Sequence, residues 1–425
     1  GLPVASLLDT KGPEVRVKLF KDGKAELKDG AIFTLTTREV EGDSQQVSIT
    51  YKNLAKDIDI GTRILADDGL IEMKVTEIDS KPEGDDIKCL VVHGGIISNN
   101  KSCNFPGAKL SMPYVSERDK SDIIFGAKTG FDFIAASFVS CDADILEVRK
   151  ILEENGGKDI KIIAKIENQE GVDNIDDILR VSDGIMVARG DMGVEIPFEQ
   201  IPQLQKMLIE KGYNAGKQVI TATQMLESMI KNPRPTRAET TDVANAIYDG
   251  TSAIMLSGET AAGMYPVEAV KTMALIAENT ENNINYSKRF RSREVDSAEN
   301  VTNAISHAAV TTALDLNAKA ILTVTTTGGT AKLLSKYRPN RPILSCTPSE
   351  RTWRQLSLSW GVVPLMSRIM ETTDDLFNHA VECAVKSGYL ENGDLVVITA
   401  GVPLGISGTT NLMKVHVVGD VLVMG

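Results

Sequence analysis

The sequence predicts an α/β protein built around a (β/α)8 barrel, and three observations support that fold class. Short apolar runs alternate with amphipathic stretches through most of the chain. Several of these runs end in charged or hydroxyl side chains, as barrel strands do at their active-site face. Residues 15–112 have a different texture, rich in Val, Ile and Thr with short turns, which indicates an inserted all-β segment.

Composition narrows the classes of function. The chain has 425 residues and a net charge of −12, which argues against a nucleic-acid or anionic-membrane partner. No apolar run approaches the roughly 18 residues of a membrane span, so a cytoplasmic protein is expected. The five cysteines are scattered, as reduced thiols are, and the four histidines are too dispersed to predict a zinc site.

Six apolar runs read as parallel strands followed by helices, at residues 3–8, 131–138, 160–166, 184–188, 218–221 and 252–256. A closed barrel of this kind has eight strands. The chain opens at Gly1 without a methionine, so we expect two β/α units to precede it in the parent protein. A six-stranded open sheet is the structural alternative.

The remaining segments complete a three-domain prediction. The barrel is assigned to residues 1–14 and 113–285, and the β insertion to 15–112. Because the insertion leaves from the end of a barrel strand, it should cover the active-site mouth as a lid, although a passive insertion is the alternative. A polar stretch at 287–300 marks the boundary of a C-terminal domain, 286–425, in which alternation resumes and an open, mostly parallel α/β sheet is expected.

The strand ends carry the candidate chemistry. Lys165 and Glu167 lie two residues apart on a strand, so they share one face roughly 7 Å apart, with a surface ion pair as the alternative. Asp191 follows Gly190 at the end of the next strand; it suits a magnesium ion, although it could instead cap a helix. Thr223 and Ser257 offer hydroxyls at the next two strand ends, where hydroxyls are also common without function.

Two further segments indicate phosphate binding. Residues 9–16, Asp-Thr-Lys-Gly-Pro-Glu-Val-Arg, combine oxygen ligands with two cations at the end of the first strand. In the C-terminal domain, the loop Thr325-Thr326-Thr327-Gly328-Gly329-Thr330 joins a strand to a helix N-terminus, where hydroxyls and backbone N–H groups can hold an anion. An ordinary charged or polar turn is the alternative in each case.

Taken together, these segments resemble the pyruvate kinase family over essentially the whole chain. The matching strings are Asp-Thr-Lys-Gly-Pro-Glu at 9–14, Lys-Ile-Glu-Asn at 165–168, Ala-Arg-Gly-Asp at 188–191, Ala-Thr-Gln-Met-Leu-Glu at 222–227, Asn-Pro-Arg-Pro-Thr-Arg-Ala-Glu at 232–239 and Met-Leu-Ser-Gly-Glu-Thr at 255–260. Each string is weak alone, but all of them in order are highly specific. The resemblance implies a barrel, a β lid and a C-terminal effector domain.

The resemblance also implies an activity and a set of residue roles. Family members transfer the phosphoryl group of phosphoenolpyruvate to ADP, giving pyruvate and ATP in the final step of glycolysis. By similarity, Glu167 and Asp191 hold Mg²⁺ (or Mn²⁺), and Lys165 neutralises the phosphoryl group in flight. Gly190, Asp191, Lys165 and Thr223 bind the substrate, and Thr223 with Ser257 is placed to protonate the enolate.

Further roles follow from the same resemblance. Arg16 and Lys101 should contact nucleotide phosphates, and Asp9 and Thr10 should bind K⁺, with Glu14 as the acidic variant that accompanies potassium dependence. The loop from Thr325 to Thr330 should hold the phosphate of a sugar-phosphate or nucleotide effector. Val402 stands where members that respond to fructose 1,6-bisphosphate often carry arginine, which disfavours that activator. A homotetramer is expected, with Arg234 in its interface segment.

One family segment is absent. The Arg-x-Asn-x-Ser-His motif, which completes the potassium and ATP sites, does not occur in the sequence, so the chain as given is predicted to be catalytically impaired. Two other hypotheses stay open on sequence alone. One is a regulatory protein that keeps the fold without catalysis, and the other is a metal-dependent aldolase or lyase that acts on pyruvate enolates.

Overall fold

Four β-sheets organise the computed structural model, which describes residues 1–291, 300–404 and 408–420. The chain begins with β1 (Leu7–Asp9), the first strand of a six-stranded sheet, and then leaves that sheet for the insertion. The insertion has a seven-stranded sheet of order β2-β10-β6-β7-β8-β4-β5 and a β3–β9 pair, with one short helix, α1 (Leu54–Asp57). Its strands are β2 (Val15–Arg16), β3 (Lys24–Leu27), β4 (Ile32–Thr36), β5 (Gln46–Ser48), β6 (Arg63–Ala66), β7 (Ile71–Lys81), β8 (Gly84–His93), β9 (Gly95–Ser98) and β10 (Ser102–Asn104).

The insertion forms because its apolar residues alternate with polar ones at the period of a strand. In β3, for example, Ala25 and Leu27 are buried while the residues between and before them are exposed. Such faces join a separate apolar core that includes Phe33, Leu35 and Ile64. The all-β insertion predicted from the sequence is therefore present.

After the insertion the chain returns to the six-stranded sheet, adding strands β11 to β15. The elements in order are α2 (Glu117–Thr129), β11 (Phe133–Ala136), α3 (Asp142–Glu154), β12 (Lys161–Ile166), α4 (Gln169–Asp173), α5 (Ile175–Val181), β13 (Gly184–Ala188), α6 (Arg189–Glu195), α7 (Ile201–Asn214), β14 (Gln218–Ala222), α8 (Arg237–Asp249), β15 (Ala253–Ile254), α9 (Gly258–Ala261), α10 (Pro266–Asn282) and α11 (Tyr286–Arg291). All neighbouring strands are parallel, in the order β1-β11-β12-β13-β14-β15.

The order of these strands is that of a barrel wall. It follows the chain without reversal, whereas a doubly wound sheet reverses at a switch point. Alternate side chains separate cleanly between the two faces: Ile134, Ile162 and Ile185 pack among the helices, while Phe133 and Met186 join a second apolar cluster on the opposite face. Helices on one face and side-chain packing on the other make a curled α/β sheet, as the sequence predicted.

Local sequence sets the helix ends. Helix α2 begins after Ser116, whose hydroxyl accepts a hydrogen bond from Asp119 N, and it ends at Gly130 with a left-handed φ of 80°. Helix α8 begins with a capping box, in which Thr236 and Glu239 satisfy each other's backbone N–H groups. Within the described residues, none of the helices combines the length and the apolar character needed to cross a membrane.

The C-terminal region is an open sheet of order β18-β17-β16-β19-β20, in which only β20 runs antiparallel. Its elements are α12 (Val301–Asp315), β16 (Ala320–Val324), α13 (Gly329–Lys336), β17 (Ile343–Thr347), α14 (Glu350–Leu356), β18 (Val362–Met366), α15 (Thr373–Lys386), β19 (Leu395–Gly401) and β20 (Thr410–Val417). This agrees with the predicted mostly parallel sheet. Strand order reverses at β16, so the crevice of this sheet lies beyond the end of β16. Most of the predicted boundary stretch (292–299) lies outside the described residues.

Helix α14 joins the C-terminal region to the barrel. Arg354 forms a forked ion pair with the Asp132 carboxylate, at 2.9 to 3.1 Å, and that carboxylate is almost fully buried. The Gln355 amide donates to the backbone oxygens of Asp132 and Asp159. Leu358 packs against the apolar cluster on the concave face of the sheet. These contacts fix the two regions at the end of the barrel away from the strand tips.

Arg354→Ala is expected to destabilise this junction by about 2 kcal/mol, because it leaves the buried Asp132 carboxylate without its cation. The measurement is the melting temperature by calorimetry. Arg351→Ala, on the same helix, is the matched control and should change the melting temperature little. Equal shifts for the two variants would contradict the role given to the Asp132–Arg354 pair.

Candidate active site

Lys165 and Glu167 form a buried ion pair at the tip of β12. Lys165 Nζ lies 3.1 Å from Glu167 Oε1 and 3.3 Å from Asp9 Oδ1, and the two β12-tip side chains are 13% and 1% exposed. The ion pair is therefore buried, and the alternative of a surface ion pair is wrong. Lys165 Nζ also donates to Ser137 Oγ at 2.8 Å. One lysine thus joins the tips of β1, β11 and β12.

The electrostatics of the pair favour a cation between carboxylates. Burial opposes the charge on Lys165, but Glu167 and Asp9 outweigh it and raise the pKa of Lys165. Burial raises the pKa of Glu167 to about 7; Lys165 opposes this shift and the nearby Asp191 adds to it. Two carboxylates therefore lie close enough to repel each other, an arrangement that a divalent cation would relieve.

The two oxygens of Glu167 have different surroundings. Its Oε2 accepts a hydrogen bond from Phe138 N at 2.6 Å. Its Oε1 is buried and, although close to Lys165, has no partner with hydrogen-bond geometry. Among the described residues, no group of three His, Cys, Asp or Glu side chains could hold a metal unaided. Mg²⁺ needs only one or two protein carboxylates when substrate and water supply the rest, so Glu167 and Asp191 fit it.

Asp191 lies in the first turn of α6, directly after β13. The N-cap position belongs to Ala188, so Asp191 does not cap the helix as the alternative reading had it. Gly190 N donates to Thr223 Oγ1 at 2.7 Å, which joins the tips of β13 and β14. The residues predicted to bind substrate on these two strands are therefore adjacent.

Arg189 holds the Thr223 turn and was not identified from the sequence. Thr223 and Gln224 both adopt left-handed φ angles, of 68° and 53°, which are costly for side chains with a Cβ. The Arg189 guanidinium donates to the backbone oxygens of Ala222 and Thr223, and its remaining Nη1 contacts Asp242 at 2.6 Å. This network stabilises the turn that carries Thr223.

Ser257 follows β15 as the N-cap residue of α9. Its backbone N–H donates to Glu259 Oε2 at 2.8 Å, and the other oxygen of that buried carboxylate accepts from Leu226 N. The Ser257 hydroxyl is buried without a hydrogen-bond partner. A buried, unpartnered hydroxyl at a strand end remains available to a ligand or a bound water.

The predicted potassium residues lie beside the lysine. The Asp9 carboxylate contacts Lys165 and, at 3.3 Å, Ser137 Oγ. Thr10 is buried, and its hydroxyl is engaged with Ala135 O and Ser137 N. Asp9 therefore offers carboxylate oxygens near the mouth, whereas the Thr10 hydroxyl already has two partners.

The chain matches two sequence profiles of known proteins: "Pyruvate kinase, barrel domain" over residues 1–270 and "Pyruvate kinase, alpha/beta domain" over residues 303–416. The chain belongs to the pyruvate kinase family. This confirms the resemblance drawn from the sequence motifs, and it supports reading the six-stranded sheet as a barrel.

Curated relatives cover nearly the whole chain. A pyruvate kinase from Clostridium acetobutylicum is 52% identical over 417 residues, 98% of this chain and 87% of its own length. One from Geobacillus stearothermophilus is 51% identical over 425 residues, 100% of this chain and 72% of its own length. A crystal structure of a pyruvate kinase from Cryptosporidium parvum superposes with a TM-score of 0.89 at 42% identity, covering 97% of this chain and 84% of that one.

The lid carries the two residues predicted to contact nucleotide. Arg16 is opposite Ser102 across the β2–β10 pair, and Val17 N donates to Lys101 O, so both cations lie at the lid junction. Each is paired with a carboxylate of the lid or its junction: Arg16 with Glu14 at 2.6 Å and Lys101 with Asp67 at 2.6 Å. A bound phosphate would therefore compete with these ion pairs.

The lid also contacts helix α6, which carries Asp191. Asn104 donates to Glu195 Oε1 at 2.8 Å, and burial raises the pKa of Glu195. The turn at Gly69 approaches Val194. A cavity of about 530 Å³ lies between lid and barrel, lined in part by Glu14, Asn104, Phe138 and Asn168. Glu167 and Asp191 are not in its lining, so the cavity does not contain the predicted metal ligands.

The threonine loop of the C-terminal domain follows β16, at the crevice of that sheet. Gly328, with a φ of 83°, precedes α13, and Gly328 N donates to Thr325 Oγ1 at 3.0 Å. Thr330 is buried against Thr410, whereas Thr326 and Thr327 are exposed. The loop lines a cavity of about 310 Å³ together with Arg368. Part of the 399–408 loop, residues 405–407, lies outside the described residues.

Proposed function

We propose that the protein transfers the phosphoryl group of phosphoenolpyruvate to ADP and releases pyruvate and ATP. The observation that supports this most strongly is the buried Lys165–Glu167 pair beside Asp191 and Thr223 at the tips of adjacent strands. Membership of the pyruvate kinase family adds independent support. Both alternative hypotheses, the regulatory protein and the aldolase or lyase, leave the buried lysine and the lid without a use.

Lys165 and the carboxylates have separate roles in this proposal. The phosphoryl group is anionic throughout transfer, so fixed positive charge in a dry site lowers the barrier. Lys165 supplies that charge, and its contacts with Asp9 and Ser137 hold its ammonium group in position. Glu167 and Asp191 would hold Mg²⁺ (or Mn²⁺), which when bound neutralises charge on the phosphoryl and enolate oxygens.

The product of transfer is an enolate that must gain a proton to become pyruvate. Thr223 is assigned to this step because its hydroxyl is fixed by Gly190 N and by the turn that Arg189 holds. In this structure the Thr223 hydroxyl donates its hydrogen bond to Ala222 O at 2.6 Å, so the hydroxyl must rotate toward the enolate when substrate binds. Ser257, with a buried and unpartnered hydroxyl, would orient a water that resupplies the proton. Gly190 would bind the substrate carboxylate.

Nucleotide and potassium complete the proposed site. Arg16 and Lys101 would contact the phosphates of ADP, exchanging their present carboxylate partners for phosphate oxygens. Asp9 and Thr10 would bind K⁺, with Asp9 supplying carboxylate oxygen. Glu14, held by Arg16, is expected to accompany potassium dependence.

The test is a coupled assay of the full-length protein with phosphoenolpyruvate, ADP, Mg²⁺ and K⁺, in which pyruvate is reduced by a dehydrogenase. Pyruvate formation that requires ADP and falls when K⁺ is replaced by a large organic cation is the expected result. A folded protein that forms no pyruvate but binds sugar phosphates would instead support the regulatory hypothesis.

We further propose that the threonine loop binds the phosphate of a sugar-phosphate or nucleotide effector. The support is a cavity at the crevice of the sheet, lined by hydroxyls, a helix N-terminus and Arg368. Such a ligand would regulate the barrel through the junction at α14. There Arg354 contacts Asp132, and Leu358 packs against the apolar cluster of the barrel sheet.

The double variant Thr326→Asp plus Thr327→Asp should lose the response to the effector, because two carboxylates repel its phosphate. Both side chains are exposed, so the fold should not be disturbed, whereas Thr330 is buried and is left unchanged. The measurement is the activation curve for a panel of sugar phosphates and nucleotides. An activation curve identical to that of the unaltered protein would contradict the loop assignment; Thr326→Ser plus Thr327→Ser is the matched control.

A homotetramer is proposed by family similarity. Arg234, in the predicted interface segment, is exposed on the single chain, as an interface residue would be before assembly. Sedimentation of the full-length protein should give four times the chain mass, and Arg234→Glu should lower it. A monomer for both proteins would contradict the proposal.

A further inference from the structure

Two of the five cysteines lie together in the C-terminal sheet. Cys346 is in β17 and Cys383 is in α15, and Cys383 packs against the apolar cluster to which Cys346 belongs. Cys346 is fully buried, and its Sγ lies 3.8 Å from Ala380 O, in the turn of α15 that precedes Cys383. Cys383 is half-buried, with its Sγ 3.6 Å from Met366 O. The pair therefore joins one buried sulfur to one that solvent can reach.

The surroundings of Cys383 favour a thiolate. The neighbouring Cys346 thiol lowers the pKa of Cys383 to about 7, and the charges of Lys386 and Arg368 act in the same direction against burial and Glu382. The pKa of Cys346 is raised by the neighbouring Cys383 and by burial, so Cys346 keeps its proton, which it donates to Ala380 O. His379 Nε2 lies 3.6 Å from Cys383 Sγ and accepts a hydrogen bond from Arg368 N at 3.1 Å.

The other three cysteines lack this environment. Cys89 and Cys103 are buried in the lid core, and burial raises the pKa of each to about 12. Cys141 is half-exposed at the start of α3, but burial raises its pKa, with Asp144 as its nearby charge. Cys141 is thus a natural control, because it resembles Cys383 in exposure and differs from it in the sign of the neighbouring charge.

We propose that Cys383 and Cys346 form a redox-active dithiol that hydroperoxides oxidise to an intramolecular disulfide. The Cys383 thiolate attacks the terminal oxygen of the hydroperoxide; the O–O bond breaks, the alcohol or water leaves with a proton, and Cys383 becomes a sulfenic acid. The Cys346 sulfur then attacks the Cys383 sulfur, the S–O bond breaks, and the thiol proton leaves with the hydroxyl as water. The dithiol has lost two electrons and the hydroperoxide has gained them.

The position of the pair gives the oxidation a local consequence. Pro348 and Arg368 both line the threonine-loop cavity. Cys346 lies two residues before Pro348. Cys383 contacts the backbone oxygen of Met366, which lies two residues before Arg368. A disulfide would bind α15 covalently to β17 at the wall of that cavity. The dithiol is a modification site distinct from the barrel chemistry.

The experiment treats the reduced full-length protein with a small excess of hydrogen peroxide at pH 7. Thiols are then counted after denaturation, and the peptides are mapped by mass without reduction. We expect the wild type to lose two thiols per chain, to yield one peptide pair that joins Cys346 to Cys383 and weighs two hydrogens less, and to recover both thiols with dithiothreitol. Cys383 should react faster than Cys141 at this pH, because its pKa is lowered and that of Cys141 is raised.

Three variants separate the roles. Cys383→Ser should prevent the loss, Cys346→Ala should leave Cys383 as a sulfenic acid that dimedone traps, and the control Cys141→Ser should behave as wild type. Since the wild-type peptide map needs no variant, the proposal stays testable if Cys346→Ala fails to fold. An unchanged thiol count, a disulfide between chains, or loss confined to Cys141 would overturn it.

Discussion

Lys165→Met is expected to lower the rate of phosphoryl transfer by about 10³-fold or more while leaving the enolisation of pyruvate largely intact. Methionine has a similar length but carries no charge, so the anionic phosphoryl group in flight loses its protein cation. Enolisation involves no phosphoryl transfer, and the proposed proton donor Thr223 lies on a different strand and is fixed by Gly190 and Arg189.

Two assays of one variant therefore separate the roles. Transfer is followed by pyruvate release, and enolisation by exchange of the pyruvate methyl protons for deuterium. Lys161→Met is the matched control, because Lys161 begins the same strand, pairs with Asp183 and lies far from the mouth. Retention of both activities in Lys165→Met, or loss of both in Lys161→Met, would contradict the assignment.

Glu167→Gln is expected to weaken the binding of Mg²⁺ and to lower kcat/KM by about 10²-fold or more, because a carboxamide is a poor ligand for a hard divalent cation. The glutamine keeps the shape of the side chain and can still accept the hydrogen bond from Phe138 N. The fold should therefore persist. Titration calorimetry with Mg²⁺ in the presence of phosphoenolpyruvate measures the first effect, and the coupled assay measures the second.

Glu170→Gln supplies the comparison. Glu170 is three residues away, half-exposed, and within the described part of the chain its salt bridge is with the exposed Lys109. Its loss should change neither Mg²⁺ binding nor turnover, since surface ion pairs contribute little. If Glu167→Gln bound Mg²⁺ as tightly as the unaltered protein, the metal assignment would be wrong.

Much of the site was predictable because strand ends carry the chemistry of a β/α barrel. The alternation within β12 puts Lys165 and Glu167 on one face, and the parallel order of strands brings Asp191 and Thr223 beside them. The sequence could not show that Glu167 is buried with one oxygen bound by Phe138 N, because burial depends on residues of the neighbouring strand. It also could not exclude the surface ion pair, which requires the same two residues.

The residues that the sequence analysis missed share a different property. Ser137 and Arg189 hold predicted site residues in place without matching any chemical motif. Arg189 depends on Asp242, which is 53 residues away, and Ser137 contacts Lys165 from 28 residues away. Ser137 could not be singled out, because hydroxyls are common at strand ends. From sequence alone, Arg189 could equally be a phosphate ligand. Only the folded chain shows that its guanidinium faces backbone oxygens.

The junction between barrel and C-terminal sheet was also beyond sequence reasoning. Arg354 and Leu358 lie on and after an ordinary amphipathic helix, and nothing in that helix indicates that it contacts Asp132, more than 200 residues earlier. The antiparallel direction of β20 was likewise not predicted, since a short apolar strand carries no signal of its direction. By contrast, β13 was predicted with the bounds that the structure has, because its apolar run is flanked by polar residues.

The central claim is that phosphorus moves directly from phosphoenolpyruvate to ADP at the Lys165–Glu167 site, and ³¹P nuclear magnetic resonance tests it most directly. The full-length protein is mixed with phosphoenolpyruvate, ADP, Mg²⁺ and K⁺, and the phosphorus signals are followed with time. The account predicts that the phosphoenolpyruvate signal is replaced by that of the γ-phosphate of ATP, and that Lys165→Met stops this transfer. Release of inorganic phosphate in place of ATP, or an unchanged phosphoenolpyruvate signal from the folded wild type, would contradict it.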